Sequence, residues 1–157
     1  PRFSGAGMGA TVHFPNVKTD IEAAANALHA RRQEALDLIR TSVLSNIQLA
    51  YEEKSQGKQG SDGITWKPLD PKTVRRKRKK GRGDAVSIGI DSGLQRASAG
   101  VVESDGDSVT VGYQREYSVH FDKERPLIPE HLPQEWEEEA DDLVEEWGES
   151  VIEEHLP

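Results

Sequence analysis

The residues best suited to chemistry form a basic run inside GITWKPLDPKTVRRKRKKGRG, residues 63–83. Such dense cations can follow a phosphate backbone and release its condensed counterions, giving salt-sensitive binding with little sequence preference. Aromatic side chains that would stack on bases are missing nearby, apart from Trp66. An acidic protein partner, DNA and a solvated loop are therefore three open interpretations. The cations assigned to an interface are Lys72, Arg75, Arg76, Lys77, Arg78, Lys79, Lys80 and Arg82.

The second charged feature is the acidic segment after Pro133. Beyond Arg125 the chain has acidic side chains and no Lys or Arg. The formal net charge of −8 therefore conceals a strong separation between basic and acidic segments. Like charges at i, i+4 destabilise an isolated helix by a few tenths of a kcal/mol per pair, so a basic surface on another subunit would explain these carboxylates. The run at 72–82 is a candidate for that surface. The carboxylates assigned to the interface are Glu135, Glu138, Asp142, Glu145 and Glu146.

Catalytic and metal-binding patterns are not apparent. The five histidines show no H-E-x-x-H or related metal spacing. The segment around Ser92 lacks the flanking glycine of a nucleophile elbow, and GAGMGA at 5–10 lacks the strand and helix context of a dinucleotide fingerprint. We therefore expect no enzymatic activity, no metal and no cofactor.

Composition limits the architecture. A chain of 157 residues suits one domain, and 34% hydrophobic with 31% charged residues predicts a modest core with long charged faces. Cysteine is absent, which removes disulfides and thiolate sites. No apolar run approaches the roughly 20 residues that span a bilayer, and the first residues lack a signal-peptide pattern, so no membrane partner is expected.

The helices and strands that must position the charged segments follow from periodicity. Residues 1–18 are predicted to be a flexible arm, with a short strand at 11–14, and residues 19–157 a single domain carrying the basic loop 72–83. Apolar residues three or four apart predict one long helix from Asp20 to about Gly57. Thr19 or Asp20 is expected to cap its start, and Gly57 to adopt the left-handed conformation at its end.

The remaining elements are shorter. The Asp70-Pro71 pair could start a short helix over Thr73–Lys80 within the basic segment. VVESDGDSVTVGY predicts a β-hairpin turning at Asp105-Gly106, and RPLIPEHLP an extended connector. A final helix after Pro133 has one apolar face and one acidic face. The fold class is therefore α+β, with a long N-terminal helix and an acidic C-terminal helix packed on a small antiparallel sheet.

The order of these elements resembles the virion-morphogenesis or tail-completion family of tailed bacteriophages. The shared pattern includes W-x-P-L at 66–69, Gly93-Leu94 within DSGLQRAS at 91–98, V-x-V-G at 109–112, Tyr117 with His120, and Arg125-Pro126 before the last helix. Asp122 and Leu127 depart from the family pattern of Gly and Phe. The packing anchors assigned from this pattern and from the tryptophans are Trp66, Pro68, Leu69, Tyr117, Arg125, Pro126, Trp136 and Trp147.

The resemblance implies a non-enzymatic virion protein of the head-tail junction, assembled in the host cytoplasm. It implies a homo-oligomeric, hexameric ring that contacts neighbouring neck and tail proteins and encloses the DNA channel. A tail terminator or head-closure protein of the same neck is one alternative. A DNA-binding accessory protein that uses residues 72–82 is another.

Overall fold

The computed structural model describes residues 3–5, 8–10, 17–81, 88, 99–114, 123 and 125–156. The helices are α1 (Val17–Ala30), α2 (Arg32–Ser55), α3 (Pro71–Lys80) and α4 (Gln134–Glu153). The strands are β1 (Phe3–Gly5), β2 (Met8–Ala10), β3 (Ala99–Ser104) and β4 (Val109–Tyr113), paired as two antiparallel hairpins. This confirms the α+β class, in which helices pack on a small antiparallel sheet.

Two helices replace the single long helix predicted from Asp20 to Gly57. The break lies at Arg31, whose φ of −99° and ψ of 9° leave the helical region. No Gly or Pro marks the break in the sequence. The Arg31 side chain instead bonds Glu34 at 3.0 Å and Glu154 at 2.7 Å, which connects the break to the end of α4. A straight helix of that length would measure roughly 50 Å, and the break lets α1 pack on α4 instead.

The ends of the long helical region were predicted with mixed success. α1 begins at Val17, so Thr19 and Asp20 lie inside its first turn and the predicted cap is wrong. Gly57 has a φ of +78°, as expected for a residue that follows a helix in the left-handed conformation. In the predicted arm, residues 3–5 and 8–10 pair as the antiparallel strands β1 and β2, and the strand predicted at 11–14 lies outside the described residues.

The predicted hairpin at 99–113 is present. Its turn is fixed by the Asp105 carboxylate, which accepts bonds at 2.7 Å from the N–H groups of Asp107 and Ser108. These bonds favour the ionised form and lower the pKa of the Asp105 carboxyl. A bulge between Val101 and Glu103, absent from the prediction, shifts the register of β3 against β4.

The core lies where α2 meets α4, the β3–β4 hairpin and the connector at 125–133. Its largest members are Tyr51 and Trp66, whose rings meet edge to face at 5.1 Å. The other buried members are Val43, Ile47, Ala50, Ile88, Leu127 and Trp136. Because α2 contacts both α4 and the hairpin, it is the central element of the fold.

One buried polar group in α2 is unsatisfied. Ser42 is 6% exposed and its hydroxyl has no hydrogen-bond partner in the described part of the chain. A buried hydroxyl without a partner costs about 1–3 kcal/mol. Ser42→Ala should therefore leave the free energy of unfolding unchanged or raise it by up to about 1 kcal/mol, measured by urea denaturation.

Ser55 is a matched control on the same helix. It is 2% exposed, but its hydroxyl donates to the Glu52 carbonyl at 2.7 Å. Ser55→Ala should lower the free energy of unfolding by about 1 kcal/mol. Equal losses for the two variants would contradict the assignment of Ser42 as unsatisfied.

Candidate functional site

The basic segment is a short helix, α3, rather than a loop. Asp70 caps its start, because the carboxylate accepts the N–H of Lys72 at 2.7 Å, and Pro71 occupies the first turn. Gly81 ends it with a φ of +62°, in the left-handed region. The short helix predicted from the Asp70-Pro71 pair is confirmed. The prediction of a loop over 72–83 is wrong as far as Lys80, because these residues are helical. Gly81 lies in the turn after the helix, and residues 82 and 83 lie outside the described part.

Most of the α3 cations face solvent. Exposed side chains are Lys72, Arg75, Arg76, Arg78, Lys79 and Lys80. Lys77 is only 8% exposed, so its assignment to the interface surface is wrong. It shares the inner face of α3 with the half-buried Val74, three residues earlier, while Lys72, Arg75 and Lys79 follow the opposite face at i, i+3 and i+7. Arg82 lies outside the described residues.

The acidic face of α4 is a continuous stripe. Glu135, Glu138, Asp142, Glu145 and Glu146 are all exposed, as is Glu149. Their spacing places them opposite the apolar face that includes the buried Trp136, Ala140 and Val151. Glu138 accepts a bond from Gln134 at 2.8 Å. The stripe therefore presents carboxylates to solvent along most of the helix.

In the part of the chain that the structure describes, the cations of α3 and the carboxylates of α4 form no ion pair with each other. The exposed cations of α3 also have no carboxylate partner elsewhere among the described residues. Unpaired like charges along one short helix are unfavourable by a few tenths of a kcal/mol per pair. In the described part of the molecule, both surfaces are therefore open to an external partner.

A cleft borders the acidic stripe at the start of α4. Its walls are the loop Ser61–Gly63 on one side and Pro133–Glu135 with Glu138 on the other, and its volume is about 510 Å³. Two of the carboxylates predicted to form an interface, Glu135 and Glu138, thus line the cleft, whereas Asp142, Glu145 and Glu146 do not. The sequence did not predict this cleft, because it depends on how the 56–65 loop folds against α4.

A buried ion pair fixes that loop. Lys54 and Asp62 bond to each other, and both side chains are fully buried. The Lys54 ammonium also donates to the Pro126 carbonyl at 3.0 Å and lies 5.1 Å from the centre of the Trp66 ring. Asp62 accepts the Ile64 N–H at 3.1 Å as well. We call Lys54, Asp62, Trp66 and the Pro126 carbonyl the buried hub.

Gly60 allows the loop to approach the buried hub. A Cβ atom at this position would lie 2.6 Å from the Asp62 carboxylate and 3.2 Å from the Ala50 carbonyl. Both distances are too short for an ordinary contact, and the carbonyl belongs to the rigid helix α2. Glycine is therefore required where the chain crosses the end of α2.

The predicted packing anchors differ in their surroundings. Trp66 is 2% exposed and donates its indole N–H to the Pro126 carbonyl at 2.9 Å, while Arg125 donates to the Lys67 carbonyl at 3.3 Å. The W-x-P-L and Arg125-Pro126 segments, 60 residues apart, therefore meet. Trp136 is buried, and Leu69 and Trp147 are half-buried. Pro68 is exposed, so its assignment as an anchor is wrong, and Tyr117 lies outside the described residues.

Trp147 belongs to a polar cluster at the α1–α2 break. Its indole N–H donates to Glu34 at 3.1 Å, and Arg31 bridges Glu34 and Glu154. The Arg31 guanidinium, followed by the Trp147 indole, lowers the pKa of the Glu34 carboxyl from its ordinary 4.5. A carboxyl with a lowered pKa stabilises the fold above its unfolded-state pKa and loses that effect as the pH falls through its folded-state pKa.

Glu34→Gln should therefore lower the melting temperature at neutral pH, and the difference from the unmodified protein should shrink below pH 4.5. The measurement is thermal unfolding at several pH values from about 7 to about 3. Trp147→Phe, which removes one of the two donors, should show a smaller difference with the same pH dependence. A difference independent of pH would contradict the role of the Glu34 charge.

The described residues offer little for catalysis. They contain no group of three or more His, Asp or Glu side chains placed to hold a metal ion. His155 bonds the Val151 carbonyl at 2.9 Å through Nδ1, and His29 lies beside Arg32 at the break between helices. None of the described helices is long and apolar enough to cross a membrane.

Comparisons with known proteins give no further guide. No protein-family model, curated protein or solved structure matches this chain. The function proposed below therefore depends on the two charged surfaces, the segments joined at the buried hub and the resemblance in element order.

Proposed function

We propose that this protein is a structural virion protein of the head-tail junction of a tailed bacteriophage. In this proposal it forms a homo-oligomeric neck or tail-completion ring, hexameric by the family resemblance, that joins tail to head and encloses the DNA channel. The observation that carries it is that one subunit exposes cations on α3 and carboxylates along the acidic stripe of α4, with no ion pair between the two among the described residues.

Ring assembly needs two different surfaces. A head-to-tail contact is heterologous, so one patch on each subunit binds a second patch on its neighbour, and rotation closes the ring. Exposed cations on α3 and exposed carboxylates on α4 supply such a pair. Electrostatic complementarity of this kind speeds encounter and fixes the register more than it adds raw affinity.

The meeting of the two motif segments also supports the proposal. W-x-P-L and Arg125-Pro126 belong to the family pattern, and in this chain they are joined by the Trp66 bond to the Pro126 carbonyl. This contact positions the residues just before α3, since Trp66 precedes Asp70 by a few positions. The segment that presents the basic helix is thus fixed to the core.

Sedimentation velocity of the purified protein, followed by electron microscopy of the largest species, tests the proposal. We expect closed rings at high protein concentration, or rings that form when purified tails or connectors are added. Ring assembly should slow and weaken as the salt concentration rises, because salt screens the charged patches that guide the encounter. A protein that stays monomeric and binds neither component would contradict the proposed function.

DNA binding by α3 is the second candidate, favoured by its exposed cations. If it held, duplex affinity would fall steeply with salt, with a log–log slope near −0.9 per phosphate contact. Replacing Arg75, Arg76, Arg78 and Lys79 with Ala would then remove binding. Under the ring proposal we expect at most weak duplex binding at low salt, because the whole chain carries a net charge of −8.

A further inference from the structure

The cleft at the start of α4 distinguishes two carboxylates from the rest of the acidic stripe. It places Glu135 and Glu138 on one wall, facing the loop Ser61–Gly63 on the other. Asp62, which also lines it, is already paired with Lys54. The free negative charge of the cleft therefore comes from Glu135 and Glu138, with Gln134 bonded to Glu138 at 2.8 Å.

The loop wall of the cleft is held in place before any partner arrives. Glu53 accepts the Ser61 N–H at 2.9 Å, and Gly63 donates to the Gly60 carbonyl at 2.9 Å. Gln59 donates its side-chain amide to the Gly63 carbonyl at 2.9 Å. A preorganised wall lowers the ordering cost of binding. The cleft therefore needs little rearrangement of this wall to receive a rigid basic element.

The chain itself carries such an element. α3 is capped at both ends, and Lys72, Arg75 and Lys79 follow its solvent face over about two turns. Arginine binds carboxylates in a bidentate manner, which suits the adjacent Glu135 and Glu138. None of these cations pairs with Glu135 or Glu138 in the same chain, as described above.

We infer that the cleft formed by Ser61–Gly63, Glu135 and Glu138 receives helix α3 of a neighbouring copy of this chain. The inference rests on the proposed self-assembly and assigns its contact to one end of the α4 stripe. Glu145 and Glu146 lie about 10–12 Å along the helix beyond Glu138, two turns away, so a side chain that contacts Glu135 and Glu138 does not also contact them. They remain outside this contact and face solvent or another virion protein.

Charge reversal tests this assignment. Glu135→Lys with Glu138→Lys should weaken self-association on the order of 100-fold, as should Arg75→Glu with Lys79→Glu. Combining all four reversals restores opposite charges and should recover most of the affinity. The matched control is Glu145→Lys with Glu146→Lys, the same change in net charge on the same helix, which should change the affinity only about 5-fold or less.

Chemical cross-linking gives an independent readout. Because the chain has no cysteine, Ser61→Cys and Lys79→Cys introduce unique thiols at the cleft and on α3. With a short bismaleimide, the double variant should give a ladder of cross-linked oligomers, whereas each single variant should give dimers at most. Lys18→Cys, at an exposed cation on α1, replaces Lys79→Cys in the control pair and should give no ladder.

The outcomes separate the two proposals. Rings without a Ser61–Lys79 ladder, or rings lost only on reversal at Glu145 and Glu146, would overturn the cleft assignment and leave the ring proposal standing. Monomers under all conditions, including with tails or connectors, would overturn both. A ladder together with rescue by the fourfold reversal is the result expected here.

Discussion

Lys54→Met is expected to lower the free energy of unfolding by about 3–5 kcal/mol. The substitution removes a fully buried ammonium and leaves the fully buried Asp62 carboxylate without its counter-charge. It also removes the donor to the Pro126 carbonyl and the cation beside the Trp66 ring. Chemical denaturation monitored by tryptophan fluorescence measures the loss, since Trp66 lies in the same cluster.

The double variant Lys54→Met with Asp62→Asn is the control. Asn keeps an oxygen that can accept the Ile64 N–H but carries no charge, so the unpaired buried carboxylate is removed. We expect the double variant to be more stable than Lys54→Met by about 1–3 kcal/mol. A Lys54→Met protein within about 0.5 kcal/mol of the unmodified chain would show that the pair does not hold the 56–65 loop.

Trp66→Ala is the second substitution with a large expected effect, a loss of about 3–5 kcal/mol in the free energy of unfolding. The side chain is 2% exposed and packs edge to face on Tyr51. Its removal leaves a cavity among rigid neighbours and takes away the bond to the Pro126 carbonyl. Thermal or urea unfolding measures the change, with Tyr51 and the other tryptophans as probes.

Trp66→Phe separates packing from hydrogen bonding. Phe keeps most of the apolar volume but has no N–H donor, so the loss should fall to about 1–2 kcal/mol. The exposed Pro68, two residues later, supplies a surface control: Pro68→Ala should change stability by less than about 0.5 kcal/mol. Equal effects at positions 66 and 68 would contradict the role of Trp66 as the anchor of the segment before α3.

The sequence predicts those elements whose boundaries are set by local chemistry. The Asp70-Pro71 start and Gly81 end define α3, and Gly57 follows α2 in the left-handed conformation. The β3–β4 hairpin follows from alternating Val and an Asp-Gly turn. In each case the responsible residues are neighbours in sequence, so pattern and structure agree.

Features set by distant contacts were not predictable in the same way. The break at Arg31 depends on Glu154, more than a hundred residues away, and contains no Gly or Pro. Lys77 looked like its neighbours in the basic run, yet it alone of the α3 cations is buried. The Lys54–Asp62 pair and the cleft likewise form only when the 56–65 loop is folded. Neither Lys54 nor Asp62 is distinguished by its spacing from the many other charged residues in the sequence.

The charge pattern was the most informative part of the sequence, and the structure refines it. The sequence predicts that the basic run and the acidic segment are complementary surfaces, and among the described residues no ion pair joins the exposed cations of α3 to α4. The structure adds the cleft, which distinguishes Glu135 and Glu138 from the other carboxylates of α4. The predicted acidic interface is thus narrowed to Glu135 and Glu138, whose role in self-association can be tested by substitution.

Electron cryomicroscopy of phage particles whose genome encodes this chain is the decisive test of whether the protein forms a neck ring. We expect a ring of this subunit at the junction of head and tail, with its channel on the tail axis and α3 of each copy against the α4 cleft of the next. Density for the chain elsewhere in the particle, or particles with intact necks that lack it, would contradict the proposed function.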